Sequence, residues 1–328
     1  MQLECRCAGC PGRPQLRQAG YYLYPQTLLP FPVSCMSSRF LLLLCSLVLP
    51  LFTRVAAAQT IVGTVTTGSG QQVVPFVNIG LPARGLGTVA DEQGHYRLAY
   101  NPAFAADTVR VSSIGFEPRL LTFAALLAAP DIRLTPAPVA LAGVSVQATN
   151  RKLHTHELGL AKPSSQVRLN MASNQLGNEL GTLVRLKRRP ALLQSVHMVI
   201  LQNEAGPLTF RLNIYRLDSH GRPTTEKLVN HDVLVTAMPQ AGILTADLSA
   251  DHLLLTEDFL LAVEWVKGSG DITPDLRKRL YFGGGLAPKS TLYMRRASQA
   301  SWEIMSYTSN LPLMGLKPQV AFYATVRD

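Results

Sequence analysis

The chain has 328 residues, a formal net charge of +10, 47% hydrophobic residues and 16% charged ones. That composition excludes disordered and fibrous classes, and the length holds two ordinary domains or one large one. Residues 1–58 carry five arginines and one glutamate, so the remainder holds 26 basic and 20 acidic residues, a net +6 that does not point to nucleic acid.

The first 35 residues contain Cys5, Cys7, Cys10 and Cys35 and no clear periodicity. A zinc knuckle would need a fourth ligand, and only Cys35, far along the chain, could supply it. The simpler reading is that 1–35 is an extension and translation starts at Met36. Residues 36–58 then have the parts of a secretory signal: Arg39, an apolar run over 40–52, and Ala56-Ala57-Ala58 before Gln59. The apolar run is too short to span a bilayer as a stable helix. Leu44 before Cys45 does not make a lipobox, so lipidation is not expected. All five cysteines lie within residues 1–45, so a processed chain is stabilised by packing and not by disulfides.

From Gln59 onward, strand patterns alternate with turns. Ile61, Gly63 and Val65 open the series, and 73–79 forms a second apolar run. Residues 88–98 read as a hairpin turning at 91–94, where Gly94 suits a positive-φ position. Residues 107–114 alternate, 123–129 could make one or two helical turns, and 132–134 is the last strand of this region. Thr135-Pro136-Ala137-Pro138 marks a boundary, and 136–172 reads as a linker. Beyond it, strands are expected at 180–186, 193–201, 208–217, 233–237, 243–248, 259–266, 291–294 and 319–326. Many short strands spaced near ten residues indicate a sandwich or jelly roll over 173–328. The fold class is all-β.

Within 59–135, Ile61-Val62-Gly63-Thr64-Val65 and Val74-Pro75-Phe76-Val77-Asn78-Ile79 come first. Gly87-Thr88 with Asp91-Glu92-Gln93-Gly94-His95-Tyr96, and then Asp107 through Phe116, follow in that order. This series resembles the carboxypeptidase regulatory-like domain of exported proteins in Bacteroidetes-type bacteria, which also caps many TonB-dependent outer-membrane transporters. The resemblance implies a seven-stranded, transthyretin-like sandwich, an accessory module with no catalytic residues to carry over. The short loop between Ile79 and Thr88 departs from the pattern and is expected to trim one hairpin. A larger jelly-roll-like β-sandwich, resembling regions that follow such modules in envelope proteins, completes the architecture.

Several constellations could carry chemistry. His154-Thr155-His156-Glu157 contains H-x-x-E, but a zinc enzyme needs a third ligand and supporting partners. Asp247, Ser249, Asp251 and His252 supply triad residue types within six positions, better read as turn chemistry. Gly283-Gly284-Gly285 lacks the lysine of a phosphate loop and reads as a loop or bulge. The run 185–189 reads as a solvated strand end, with Arg188 its candidate anion contact. Trp302, Tyr293 and Tyr307 are the candidate ring platforms for a sugar, whereas Trp265 alternates with Leu261 and Val263 and should face the core.

The expectation is therefore a non-catalytic exported envelope protein acting as a structural or interaction module. The alternative is a carbohydrate-binding protein using the carboxy-terminal sandwich through Trp302, Tyr293, Tyr307 and Arg188. No cofactor and no metal are expected. The partner would be an envelope protein or a surface glycan, with no nucleic acid and no transmembrane span in the processed chain. The setting would be the periplasm, the outer-membrane surface or the exterior.

Overall fold

In the computed structural model, residues 59–70, 72–137, 153–171, 173–268, 279–305 and 315–328 are described. The 1–35 extension, the signal at 36–58 and Tyr307 lie outside the described residues.

The amino-terminal module has seven strands in two sheets. One sheet places β1 (Thr60–Thr67) between β4 (His95–Ala99) and β7 (Ile132–Leu134). The other runs β3 (Leu86–Val89), β2 (Asn78–Leu81), β5 (Thr108–Ser112), β6 (Arg119–Thr122). Alternation does the packing: Ile61, Val65, Ile79, Leu81, Tyr96, Leu98, Val109 and Val111 point between the sheets and are buried together. The Tyr96 hydroxyl donates to the Pro130 carbonyl at 2.6 Å, which satisfies the one polar tip in this core. A short helix, α1 (Phe123–Ala128), is capped by Thr122 Oγ1, which accepts from the Ala125 amide, and it buries Phe123 and Leu126.

Two expectations for this module are corrected. The segment 88–98 is not a hairpin ladder: β3 pairs with β2 in one sheet and β4 pairs with β1 in the other. The turn itself is as read, with Asp91 Oδ1 accepting from the Gln93 and His95 amides and Gly94 at φ 75°. A turn motif shows where a chain reverses, but which sheet each arm joins depends on distant partners. The short 79–88 loop also trims nothing, because β2 and β3 form a complete hairpin across Gly85 at φ 60°.

The larger module packs two sheets face to face. The first orders β13 (Pro223–Lys227), β12 (Leu208–Leu217), β17 (Phe259–Lys267), β10 (Glu179–Val184), β19 (Leu292–Arg295) and β20 (Glu303–Ile304), with β14 (Leu234–Ala237) also on β12. The second orders β21 (Lys317–Val320), β18 (Leu280–Ala287), β11 (Ala191–Asn203), β22 (Phe322–Arg327) and β8 (Thr155–Gly159). On this second path β15 (Gly242–Asp247) and β16 (Leu254–Leu255) pair with β11, and β9 (Ser164–Leu169) pairs with β18. Phe210, Leu212, Ile214, Leu261, Val263 and Trp265 from one sheet meet Val196, Met198, Phe282, Phe322 and Ala324 from the other. Trp265 faces this core, as expected, and its indole donates to the Lys267 carbonyl at 2.9 Å.

The expected linker over 136–172 is also corrected. Its described part carries β8 and β9, both annealed to the larger module's second sheet. Their outer side chains are solvated, so apolar alternation is weak there. The pairing is made by backbone groups, which leave no trace in composition. Gly283-Gly284-Gly285 is not a loop but the middle of β18, where the register against β9 shifts between Gly283 and Gly284, as a bulge would make it. A Cβ on Gly283 would stand 2.8 Å from Pro163, and one on Gly284 would stand 2.7 Å from Val167. The glycines let the 160–169 arm lie directly on the strand.

Among the described residues no helix is long and apolar enough to cross a membrane, which says nothing about crossing by strands.

Candidate functional site

Strands β12, β17, β10 and β19 alternate strictly, so one face is the apolar core and the other carries Arg211, Asn213, Tyr215, Glu264, Glu179, Tyr293 and Arg295. An exposed polar face would be ordinary. This one is covered: Arg295, Glu179 and Glu264 are all 0% exposed. A lone glutamate in the run 259–267 is the sequence signal for such a site, since a charge amid apolar residues must find a partner.

The partners form two linked groups. The Arg295 guanidinium donates to Glu179 Oε1 through both Nε, at 2.9 Å, and Nη2. It also donates to the Tyr215 hydroxyl at 2.6 Å, while that hydroxyl donates to Glu179 Oε2 at 3.0 Å. In the second group, Glu264 Oε2 accepts from Arg211 Nη1 at 3.0 Å and from Asn213 Nδ2 at 2.9 Å. Arg211 Nε lies 2.9 Å from Asp232 Oδ1. Burial pushes the Glu179 carboxyl above its ordinary range, against the pull of Arg295 and with help from Glu264. Burial would do the same to Glu264, but Arg211, Lys227 and Asn213 outweigh it and hold that carboxyl below its ordinary range. Burial also drives the Tyr215 phenol well up.

The amino-terminal module covers the Arg211 end of this face, and the Trp302 ring lies over the Arg295 and Tyr215 end. Asn78, Gly80, Gly87 and Val89 lie opposite one another on β2 and β3, on the side of that sheet away from its own core. Arg211 Nη2 donates to the Phe76 carbonyl at 2.6 Å, and Phe76, Val89 and Val266 form a small apolar cluster with Leu176 against it. Phe76 follows Pro75 at φ 52°, the left-handed position that a tight turn requires. Gln175 completes the seam, donating from Nε2 to the Gly85 carbonyl at 2.8 Å and accepting from the Gly87 amide at 3.4 Å. Lys267 pairs with Glu92 at 2.8 Å.

The residues singled out from sequence fall in different places. Tyr293 is 7% exposed and packs with Tyr215, Leu260 and Ala262, so its ring is interior and burial raises its phenol. Trp302 is half-buried: the Arg295 guanidinium lies 4.4 Å from its centroid, and its indole donates to the Thr224 carbonyl at 3.2 Å. One face of the ring is therefore already occupied by a cation. Arg188 is exposed in the bend between β10 and β11, beside Arg189, which pairs with Asp258 at 2.6 Å. Tyr293 and Trp302 share the neighbourhood of Tyr215, while Arg188 belongs to a separate turn.

The other constellations resolve by strand geometry. His156 and Glu157 are neighbours on β8 and so point to opposite faces, while His154 lies just before the strand. His156 Nε2 instead lies 3.0 Å from Asp328 Oδ1. Among the described residues no group of three or more His, Cys, Asp or Glu could hold a metal. Asp247 Oδ1 accepts from the Ser249 amide at 2.9 Å, which is turn chemistry.

Residues 61–125 match the family described as the CarboxypepD_reg-like domain. No curated protein matches the chain. Among solved structures, the cysteine protease and lectin-like domains of a surface layer associated protein of Clostridium difficile align with a TM-score of 0.31 at 10% identity, over 51% of this chain and 37% of that one. The infectious bursal disease virus Gt strain structure aligns with a TM-score of 0.28 at 11% identity, over 82% of this chain and 59% of that one. The chain thus spans less than two thirds of the length of either. By this match residues 61–125 form a CarboxypepD_reg-like domain, and a further β-rich region follows it.

Proposed function

We propose that this chain is a non-catalytic, exported envelope protein in which the CarboxypepD_reg-like module is docked as a structural or interaction unit on the larger sandwich. The observation that supports this reading is the polar face itself. Its glutamates, arginines, asparagine and tyrosine hydrogen-bond one another or the Phe76 carbonyl, and none stands as an activated nucleophile beside a base. Side chains committed to each other in this way position modules and are not arranged to turn over a substrate. Modules of the CarboxypepD_reg-like type are typically non-catalytic, which agrees.

The test has two arms. Mass spectrometry of fractionated native cells should find the chain in the envelope with an amino terminus near Gln59. Purified protein should show no turnover of peptide, ester or glycoside substrates. A cytosolic product retaining its cysteines would defeat the localisation, and a hydrolytic activity abolished by His156→Ala would defeat the non-catalytic reading.

A further inference from the structure

Where the two polar sheet faces meet, they do not close completely. A cavity of about 300 Å³ remains between β5 and the turn after it on one side and β13, Arg211 and Asp232 on the other. Its volume is at the lower end of the range for small-molecule sites, and such sites favour domain seams.

The wall chemistry is unbalanced. Arg211 is neutralised by Glu264 and Asp232. Arg110, from the amino-terminal module, has no carboxylate within ion-pairing distance among the described residues, and its Nε is buried without a protein hydrogen-bond partner. Lys227, from the larger module, makes no close ion pair, but burial opposes its charge while Glu264, Glu179 and Asp232 attract it through space. Lys227 stands opposite Tyr215 in the ladder, which puts it on the polar face. Asn78 is 6% exposed and lines the same cavity, and its Oδ1 also lacks a partner. A buried donor and a buried acceptor with no protein partner are the groups that a bound molecule would satisfy. Ser112, opposite Asn78 in the ladder, adds a hydroxyl to the lining. Arg110, Arg211 and Lys227 against Glu264 and Asp232 leave one positive charge in excess, which asks for a single anion, and an unpaired amide oxygen beside a serine asks for a hydroxyl donor on the same molecule.

We infer that this intermodule cavity binds a monosaccharide-sized hydroxy-carboxylate, with its carboxylate between Arg110 and Lys227 and a hydroxyl donating to Asn78 Oδ1. The inference is independent of whether the protein is exported or catalytic.

Isothermal titration of the full chain with glucuronate as probe tests it, with glucose, acetate and inorganic phosphate as comparators. Saturable one-to-one binding of glucuronate is expected, with acetate weaker and glucose undetectable. Arg110→Gln and Lys227→Met should each weaken glucuronate at least tenfold. Because Lys227 sits among the buried charges, amide shifts in wild-type protein provide a readout that needs no variant. They should cluster at residues 78, 110–113 and 227–232. Phosphate binding alone, glucose binding as well as glucuronate, or shifts elsewhere on the chain would each overturn the inference.

Discussion

Arg295 shows what a buried charge does here. It is wholly enclosed, and burial would strip its proton, but Glu179 and the Tyr215 hydroxyl keep it cationic and well above its ordinary range. A buried pair contributes little net stability compared with an apolar replacement, yet breaking it leaves one charge stranded. Arg295→Met should therefore cost about 3–5 kcal/mol in urea unfolding, by analogy with other broken buried pairs. The double variant Arg295→Met with Glu179→Leu should recover much of that loss, and a double variant worse than the single one would show that the pair is net stabilising. His197 offers a second test. Its Nδ1 lies 2.8 Å from Thr245 Oγ1, its Nε2 lies 2.9 Å from Ser195 Oγ, and its ring stacks on Tyr323 at 4.3 Å. Burial lowers its pKa, and nearby Glu157 only partly opposes this. The unfolded state then binds the extra proton more readily, so stability from this group is complete above the ordinary histidine value of about 6.5 and falls as pH drops through the folded value. His197→Gln should flatten that part of the stability profile below pH 6.5. An unchanged profile would assign the acid sensitivity to other groups.

At the scale of elements, strands with one buried face were legible, because period-2 alternation is a direct imprint of burial. The expected strand at 208–217 is β12, and the one expected at 259–266 is β17, longer by one residue. Strands held by backbone pairing or by glycine contacts were not. β8 and β9 read as linker and the middle of β18 reads as a loop or bulge, since Gly283-Gly284-Gly285 carries no side chain to register a face; the strand continues through it with a register shift at Gly283/Gly284. The polar residues of the candidate site were visible as the alternate positions of β12, but alternation cannot distinguish a face covered by water from one covered by a neighbouring sheet. The glycine contacts make a prediction of their own. Gly284→Val would drive its side chain into Val167, whose Cγ1 already stands 2.7 Å from the Cβ position. Overpacking of this kind costs about 1–3 kcal/mol, and the relief available is to lift β9 off β18. Amide exchange at 164–169 should then speed up while exchange in β11 and β22 stays slow. Unaltered protection of β9 would mean that the arm yields in some other way.

For the whole molecule, the decisive feature is that two separate apolar cores are joined through a seam that is partly charged and partly apolar. Domain contacts of this mixed kind resemble transient interfaces, so each core would ordinarily unfold on its own. The seam opposes that independence through specific groups: the Arg211 contact to Phe76, the paired bonds of Gln175, and the fit of Gly87 against Ala297. The last is the cleanest to perturb. Gly87 faces away from the core of its own module, and a Cβ there would stand 2.9 Å from the Ala297 Cβ. Gly87→Leu should wedge the sheets apart while leaving Ile79, Leu81 and Val111 packed as before. Scanning calorimetry of the unaltered chain should show a single transition, because opening the seam would expose the Phe76, Val89 and Val266 cluster and leave Arg211 without its carbonyl. The variant should show two transitions, the smaller belonging to the CarboxypepD_reg-like module, whose small core has less surface to bury. A Glu92→Lys change, which only reverses the exposed pairing with Lys267, should shift the single transition slightly without splitting it. If the unaltered chain already melts in two steps, or if Gly87→Leu melts in one step at an unchanged temperature, the seam does not couple the modules.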